Sequence, residues 1–256
     1  MKAATIVYTT VFTLLCFSTL SAQIVNIEER RIKGTNDSTY WYGSVRLGAN
    51  IVKVQDQILQ LNGTAHVQYK KGKSLTLLLL DGNLLRAGDQ DFNENAFAHL
   101  RYNYKIRDQI ILEAFVQAQF NKLQLIELRA LAGSGLRFRL LKSKDGKQRM
   151  YSGIAYLYEQ NQFLEGIPDR SWHRISSYIS FTFRPSDGVK IINTTYFQPA
   201  FSDFGSYRFS TEWRLDTPIT SKLNFFTNFS LTSDRSLPAD SQRTTYAWRN
   251  GLAYKF

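Results

Sequence analysis

From Tyr40 onward the chain changes character at every second residue. The final segment shows the pattern most plainly. Tyr246, Trp248, Leu252, Tyr254 and Phe256 share one parity, with Asn250 the exception. Thr245, Ala247, Arg249, Gly251, Ala253 and Lys255 share the other. A period of two sends alternate side chains to opposite faces of a β-strand, so each such segment carries one apolar and one polar face. No apolar run beyond residue 22 approaches the length of a membrane helix; the longest, at 77–80, is four leucines inside a strand.

Turn chemistry divides the chain into twelve predicted strands, with ten the alternative count. They fall at about 40–53, 58–69, 74–85, 95–106, 110–121, 125–141, 148–159, 173–184, 189–199, 207–216, 222–232 and 244–256. In the fourth, Ala98, Leu100, Tyr102, Tyr104 and Ile106 oppose His99, Arg101, Asn103 and Lys105. The fifth sets Leu112, Ala114, Val116, Ala118 and Phe120 against Glu113, Gln117 and Gln119. The sixth sets Leu136, Phe138 and Leu140 against Arg137 and Arg139, and the tenth Phe209, Trp213 and Leu215 against Arg208, Glu212 and Arg214. The third and ninth are ambiguous. Every second connection is a short run of turn formers: 70–73, 107–109, 142–147, 185–188 and 217–221. The others include longer stretches at 86–94, 160–172, 200–206 and 233–243, while those near 54–57 and 122–124 are short.

The two ends agree on a compartment. Met1 and Lys2 form a short basic start, residues 3–20 are apolar, and 21–23 read as a cleavage site between Ala22 and Gln23. A membrane anchor is the competing reading, but the run is at the short limit for a span and has no basic flank. Residues 1–22 are therefore read as a signal peptide, 23–39 as a periplasmic N-terminal linker, and 40–256 as one β-domain. At the other end, Arg249, Gly251, Tyr254 and Phe256 resemble the C-terminal insertion signal of Gram-negative outer-membrane barrels. Cys16, the one cysteine, lies in the segment removed, so no disulfide or thiolate chemistry is expected after cleavage. The formal net charge is +11, yet Lys and Arg are spread singly along strands and turns. That spacing excludes a nucleic-acid stripe and favours lipopolysaccharide or an anion-attracting interior.

A membrane chain without membrane helices must close its sheet, because lipid cannot satisfy open strand edges. The fold expected is therefore all-β, a closed antiparallel transmembrane β-barrel with both termini periplasmic. Fourteen Tyr and eighteen Phe suit the aromatic girdles of such barrels. A soluble sandwich or lipocalin-like barrel would show the same alternation with the faces reversed, apolar inward.

The runs at 99–105, 113–122, 133–138, 176–181, 194–199 and 250–256, in that order and over nearly the whole chain, resemble the YdiY-like family of salt-induced outer-membrane proteins, most of all its Bacteroidetes-type members. The resemblance implies an outer-membrane barrel of unassigned activity and supplies no catalytic residues.

Residues expected to line the interior are Arg101, Lys105, Glu113, Gln117, Gln119, Arg129, Arg137, Arg139, Arg208, Glu212, Arg214 and Arg249. A three-residue loop at 107–109 would set Asn103 opposite Glu113, with Arg101 and Lys105 as its diagonal neighbours. Such a band either selects anionic solutes, as basic rings do in pores, or forms a structural salt-bridge ladder. In either case the charges face inward, since a basic residue on the lipid face at mid-membrane costs ~2–4 kcal/mol.

Enzyme chemistry is not expected. A barrel phospholipase needs His and Ser two apart on one strand face, and the residue two after His173 is Ile175, with Ser177 ~13 Å away along a strand. His66 and His99 lack such a partner as well, and all three read as interior or rim hydrogen-bonding residues. Residues 89–95 alternate oxygen ligands like the start of a calcium loop, but Glu94 stands where that loop needs Gly. They read as a solvated outer loop, and no metal or cofactor is expected. The leading functional expectation is a narrow pore for small polar or anionic solutes. An accessory or lipopolysaccharide-binding barrel of an envelope complex is the alternative. Lipids, lipopolysaccharide and the barrel-assembly machinery are the expected partners. Replacing Phe256 with Asp should lower the membrane-inserted fraction in cell fractionation, while the protein that does insert transports as the native chain does.

Overall fold

The computed structural model describes residues 39–53, 57–88, 90–164 and 166–254. The expected signal peptide, its cleavage site at Ala22 and Gln23, nearly all of the linker, and Phe256 lie outside the described residues. The chain is an antiparallel meander of twelve strands: β1 (Tyr40–Lys53), β2 (Gln57–Lys71), β3 (Ser74–Ala87), β4 (Gln90–Arg107), β5 (Ile110–Asn121), β6 (Ile126–Lys142), β7 (Gln148–Phe163), β8 (Arg170–Phe183), β9 (Lys190–Pro199), β10 (Tyr207–Pro218), β11 (Leu223–Asp234) and β12 (Thr244–Tyr254). One 3-10 helix, Lys122–Gln124, links β5 to β6. Each strand pairs with its sequence neighbours, from β1 to β12. The predicted count and order hold. The expected closure is not made by a ladder: among the described residues β1 and β12 are the two free edges of the sheet. They also carry its most exposed large side chains, Leu47, Trp41, Tyr246 and Trp248.

Two expected loops are largely strand. After β3 the chain turns at Gly88, which takes a φ of +58° and whose N–H donates to the Gln57 carbonyl at 2.9 Å. The stretch at 90–95 is thus strand and no solvated loop. β7 and β8 likewise reduce the expected loop at 160–172 to 164–169. The reason is the polarity of the inner face. Asn93, Asn95 and Asn161 are buried there, where polar side chains are wanted, although polar runs normally mark loops. The contrast between short and long connections narrows accordingly, and 200–206 and 235–243 are the long ones that remain. The loop at 107–109 also differs. A bulge between Lys105 and Arg107 pairs Arg107 with Ile110 and leaves a two-residue turn, while Asn103 still faces Glu113.

The faces are inverted relative to a water-soluble sheet. Leu100, Tyr102, Val116, Leu136, Ile154 and Trp213 are exposed on one face. His99, Arg101, Asn103, Glu113, Arg129, Arg137 and Arg208 are buried on the other. A soluble sandwich requires the reverse. Large exposed aromatics mark both ends of the strands: Trp41, Tyr104, Phe183 and Tyr254 at the end holding Tyr40, and Tyr158, Phe201 and Tyr246 at the opposite end.

The buried face is concave. Neighbouring strands lie about 4.8 Å apart, so β6 and β11, five strands apart, would be about 24 Å apart in a flat sheet. Instead Arg129 on β6 reaches Asp234 on β11 at 3.0 Å. Glycine opposite an aromatic recurs on this inner face. Phe115 covers Gly133, Tyr178 covers Gly153 and Phe226 covers Gly251, and in each pair a Cβ on the glycine would run into the ring. The glycine of the terminal motif thus has a local packing reason: the Phe226 ring occupies its side-chain space. Such cross-strand pairs pin register in strongly curved sheets. Gly153→Ala should cost ~1–3 kcal/mol by overpacking. Chemical unfolding of the detergent-folded protein checks this, and Tyr178→Ala in the same chain should recover part of the loss.

Candidate functional site

Five ionised side chains meet on the inner face near the strand ends away from Tyr40. Cross-strand pairing brings most of them together. Arg208 stands opposite Gln198 on β9 and Asp234 on β11, and its Nε donates to Asp234 Oδ2 at 3.0 Å. Glu159 is diagonal to Arg129 on β6 and to Arg174 on β8, which approach it at 3.4 and 3.3 Å. Two further contacts span the interior. Arg208 Nη2 donates to both Glu159 oxygens, at 2.9 and 3.1 Å, and Arg129 Nη2 donates to Asp234 Oδ2 at 3.0 Å. Neutral groups complete the coordination. Asn161 donates to Glu159 and accepts from Arg129 Nε, and Arg174 Nη1 donates to the carbonyls of Gln198 and Ser206. All five charged residues are at most 4% exposed. A buried charge survives only when paired and hydrogen-bonded, which this mutual arrangement provides.

A small apolar cap lies beyond the cluster. Ile126, Phe163 and Leu237 are buried together, with Ile167 and Trp172 packed against them. Ile167 of the β7–β8 connection is thus turned toward this apolar cluster. A register irregularity between Ile126 and Leu128 lets Ile126 share the inner face with Arg129. The β11–β12 connection is tied down at both ends. Ser236 donates to Asp234 Oδ1 through its N–H and its hydroxyl, and the Gln242 N–H donates to the Leu123 carbonyl at 3.2 Å. Arg243 donates to the Leu237 carbonyl from Nε and Nη2. Asp234 is thus shared, with one oxygen on two arginines and the other on the cap. In the 200–206 connection, hydrogen bonds from Ser206 and the Gly205 N–H hold the Asp203 carboxyl below the usual carboxylate range.

Inward along the strands, Arg101 donates to Glu113 at 3.2 Å and Tyr178 donates to the same oxygen at 3.0 Å. Arg101 Nε donates to His99 Nε2. The ring proton is then on His99 Nδ1, which donates to Gln117 Oε1 at 3.1 Å. A cavity of about 40 Å³ lies between this group and the cluster, lined by both Arg101 and Arg208. At one probe sphere per water it holds roughly three waters. A second cavity, of about 360 Å³, lies toward the Tyr40 end beside Arg184, Lys190, Arg214 and Phe226.

Of the sequence-predicted residues, Arg101, Glu113, Gln119, Arg129, Arg137 and Arg208 are buried on the inner face. Gln117, Arg139, Glu212, Arg214 and Arg249 are half-buried on it. Arg101 takes its expected place on Glu113. Lys105 does not share that pairing as drawn from the sequence: its ammonium lies 3.3 Å from Asp108, because the bulge shortens the turn. Arg137 packs over the Tyr151 ring at 3.8 Å, Arg214 pairs with Asp216, and Glu212 accepts from Asn228. His173 lies on the outer face, bonded to Tyr156. Among the weighed histidines, His99 is an interior hydrogen-bonding residue.

Glu159, Arg174 and Asp234 were not singled out in the sequence. Their signal was parity, hidden because the predicted seventh and eleventh strands stopped at or before the acids. Among the described residues no group of three or more His, Cys, Asp or Glu is placed to hold a metal, and no helix is long and apolar enough to cross a membrane.

Residues 45–256 match the protein family described as "Protein of unknown function, DUF481", so the match spans all twelve strands. Comparison with curated proteins found no match. Among solved structures, one described as the NanC porin is similar at 13% identity and a TM-score of 0.47, covering 83% of this chain and 99% of that one.

Glu159→Gln removes one carboxylate from three arginines while leaving them buried. It should destabilise the fold by ~3–5 kcal/mol, read as a lower temperature for the shift from compact to extended mobility in gels. Arg139→Gln, at a half-buried position, should leave that temperature nearly unchanged.

Proposed function

We propose, from the premise that this chain belongs to the DUF481 family, to which the YdiY-like outer-membrane proteins belong, that it is an outer-membrane β-barrel with a channel-like basic interior held shut at one end. The observation that carries the membrane reading is the face inversion: exposed leucine, valine and isoleucine outside, buried arginine and glutamate inside. Closure of β1 against β12 follows from the same premise, since an open edge of N–H and C=O groups has no partner in lipid. The exposed aromatics near both strand ends fit interfacial girdles.

The interior supports a passage that narrows. In this reading the 360 Å³ basic cavity at the Tyr40 end and the 40 Å³ polar cavity beside the charged cluster are parts of it. Guanidinium groups along it favour small anionic or zwitterionic solutes. The Tyr40 end is periplasmic in this reading, lipopolysaccharide and phospholipid surround the wall, and the barrel-assembly machinery inserts it. The chain acts as a conduit and not as an enzyme. One observation favours the second reading, a structural or accessory barrel: the charges of the cluster are engaged with one another.

Planar-bilayer recording separates the two. The native chain should show rare, small conductance steps. Asp234→Asn, or deletion of 236–242 to remove the cap, should make steps frequent and anion-preferring. If both variants remain heat-modifiable in gels and stay silent at every voltage, the channel reading fails and the accessory barrel stands.

A further inference from the structure

The connected charges on the inner face do not balance. In the ion pairs of the inner face four guanidinium groups, those of Arg101, Arg129, Arg174 and Arg208, meet three carboxylates, those of Glu113, Glu159 and Asp234, and Arg137 is a further cation buried on the same face. His99 accepts a hydrogen bond from Arg101 on one ring nitrogen and so adds no cation. A surplus positive charge in a nearly dry interior is costly unless a counter-charge sits beside it.

The 40 Å³ cavity borders both Arg101 and Arg208 and is the place for that counter-charge. The two residues are 6% and 4% exposed. Arg208 commits Nε and Nη2 to carboxylates, whereas its Nη1 meets only the neutral Gln198 amide oxygen, at a long 3.3 Å. Arg101 commits Nε to His99 and Nη1 to Glu113, and its Nη2 has no hydrogen-bond partner among the described residues. A guanidinium offers five donors in a fixed fork, so both groups have donors to spare. Ser176 and Gln198 also line the cavity and are bonded to each other, giving neutral polar groups that could hold the second oxygen of a ligand.

We propose that this cavity binds one small monoanion of the carboxylate class, between Arg101 and Arg208. A carboxylate offers about four lone-pair directions, enough for the spare donors of both arginines. The volume excludes anything much larger than formate or acetate. The site deepens the channel reading by naming a solute class, but its existence does not depend on conduction. An anion here also presents Arg208 with an alternative to Asp234, the residue that holds the cap through Ser236.

The test uses the full chain folded in detergent, with formate as the probe and formamide as its neutral counterpart. Isothermal titration should show saturable binding of one formate per chain and none of formamide. Arg101→Gln should weaken it by at least about tenfold, the loss expected for one charge-assisted hydrogen bond. Gln198→Glu places a carboxylate beside Arg208 from within. That variant should stay folded, lose formate binding, and unfold at a higher temperature than the native chain without formate. Unsaturable heats, equal binding of formate and formamide, or undiminished binding in folded Gln198→Glu would each overturn the site. Silence in bilayers with saturable formate binding would instead sink the channel and keep the site.

Discussion

Two ion pairs across the interior, Arg208 with Glu159 and Arg129 with Asp234, join parts of the sheet that strand pairing cannot join. The backbone ladders, by contrast, link each strand only to its sequence neighbours. Strand pairing alone does not fix how far a sheet of twelve strands curls, and contacts that reach across the interior add that constraint. These pairs do so, and they can because the inner face excludes water: at the surface the same pairs would contribute little. The inverted faces and the charged cluster are therefore two aspects of one arrangement. The wall is apolar outside, so charges gather within, and the charges within set how tightly the wall bends.

Much of this was legible in the sequence, because the physics that decides it is local. Strand number, order and the facing of Arg101, Glu113, Arg137 and Arg208 follow from a period of two, which needs no knowledge of distant contacts. The boundaries failed where composition and environment disagree. Asn93, Asn95, Asn161 and Asp234 carry the chemistry of loops, and the strands hold them because their inner face is polar. The cluster was only half visible for the same reason. Arg129 and Arg208 sit within clear alternation, whereas Glu159 and Asp234 lie at strand ends that polarity seemed to close. Pairing between β6 and β11, 105 residues apart, leaves no trace in any local pattern. Lys105 shows a different limit: one bulge in a turn moved its partner from Glu113 to Asp108.

The family's conserved label says nothing of chemistry, yet the interior narrows the choices. Its volumes are small, its surfaces are rich in guanidinium and amide, and its far end is sealed by the same aspartate that anchors the β11–β12 connection. That residue ties the charged cluster to the β11–β12 connection, so a change there touches both.

The position of Asp234 also bears on the order of assembly. It lies at the end of the eleventh of twelve strands, whereas Arg129, Glu159 and Arg174 lie on the sixth, seventh and eighth. If strands join in sequence, three arginines and one glutamate are already in place before the last carboxylate arrives. Contacts of such long sequence separation form late in folding. A chain that stalls before β11 holds a more strongly cationic patch inside a half-built wall than the complete chain does. The arrival of Asp234 thus lowers the surplus charge of the five-residue cluster from two to one.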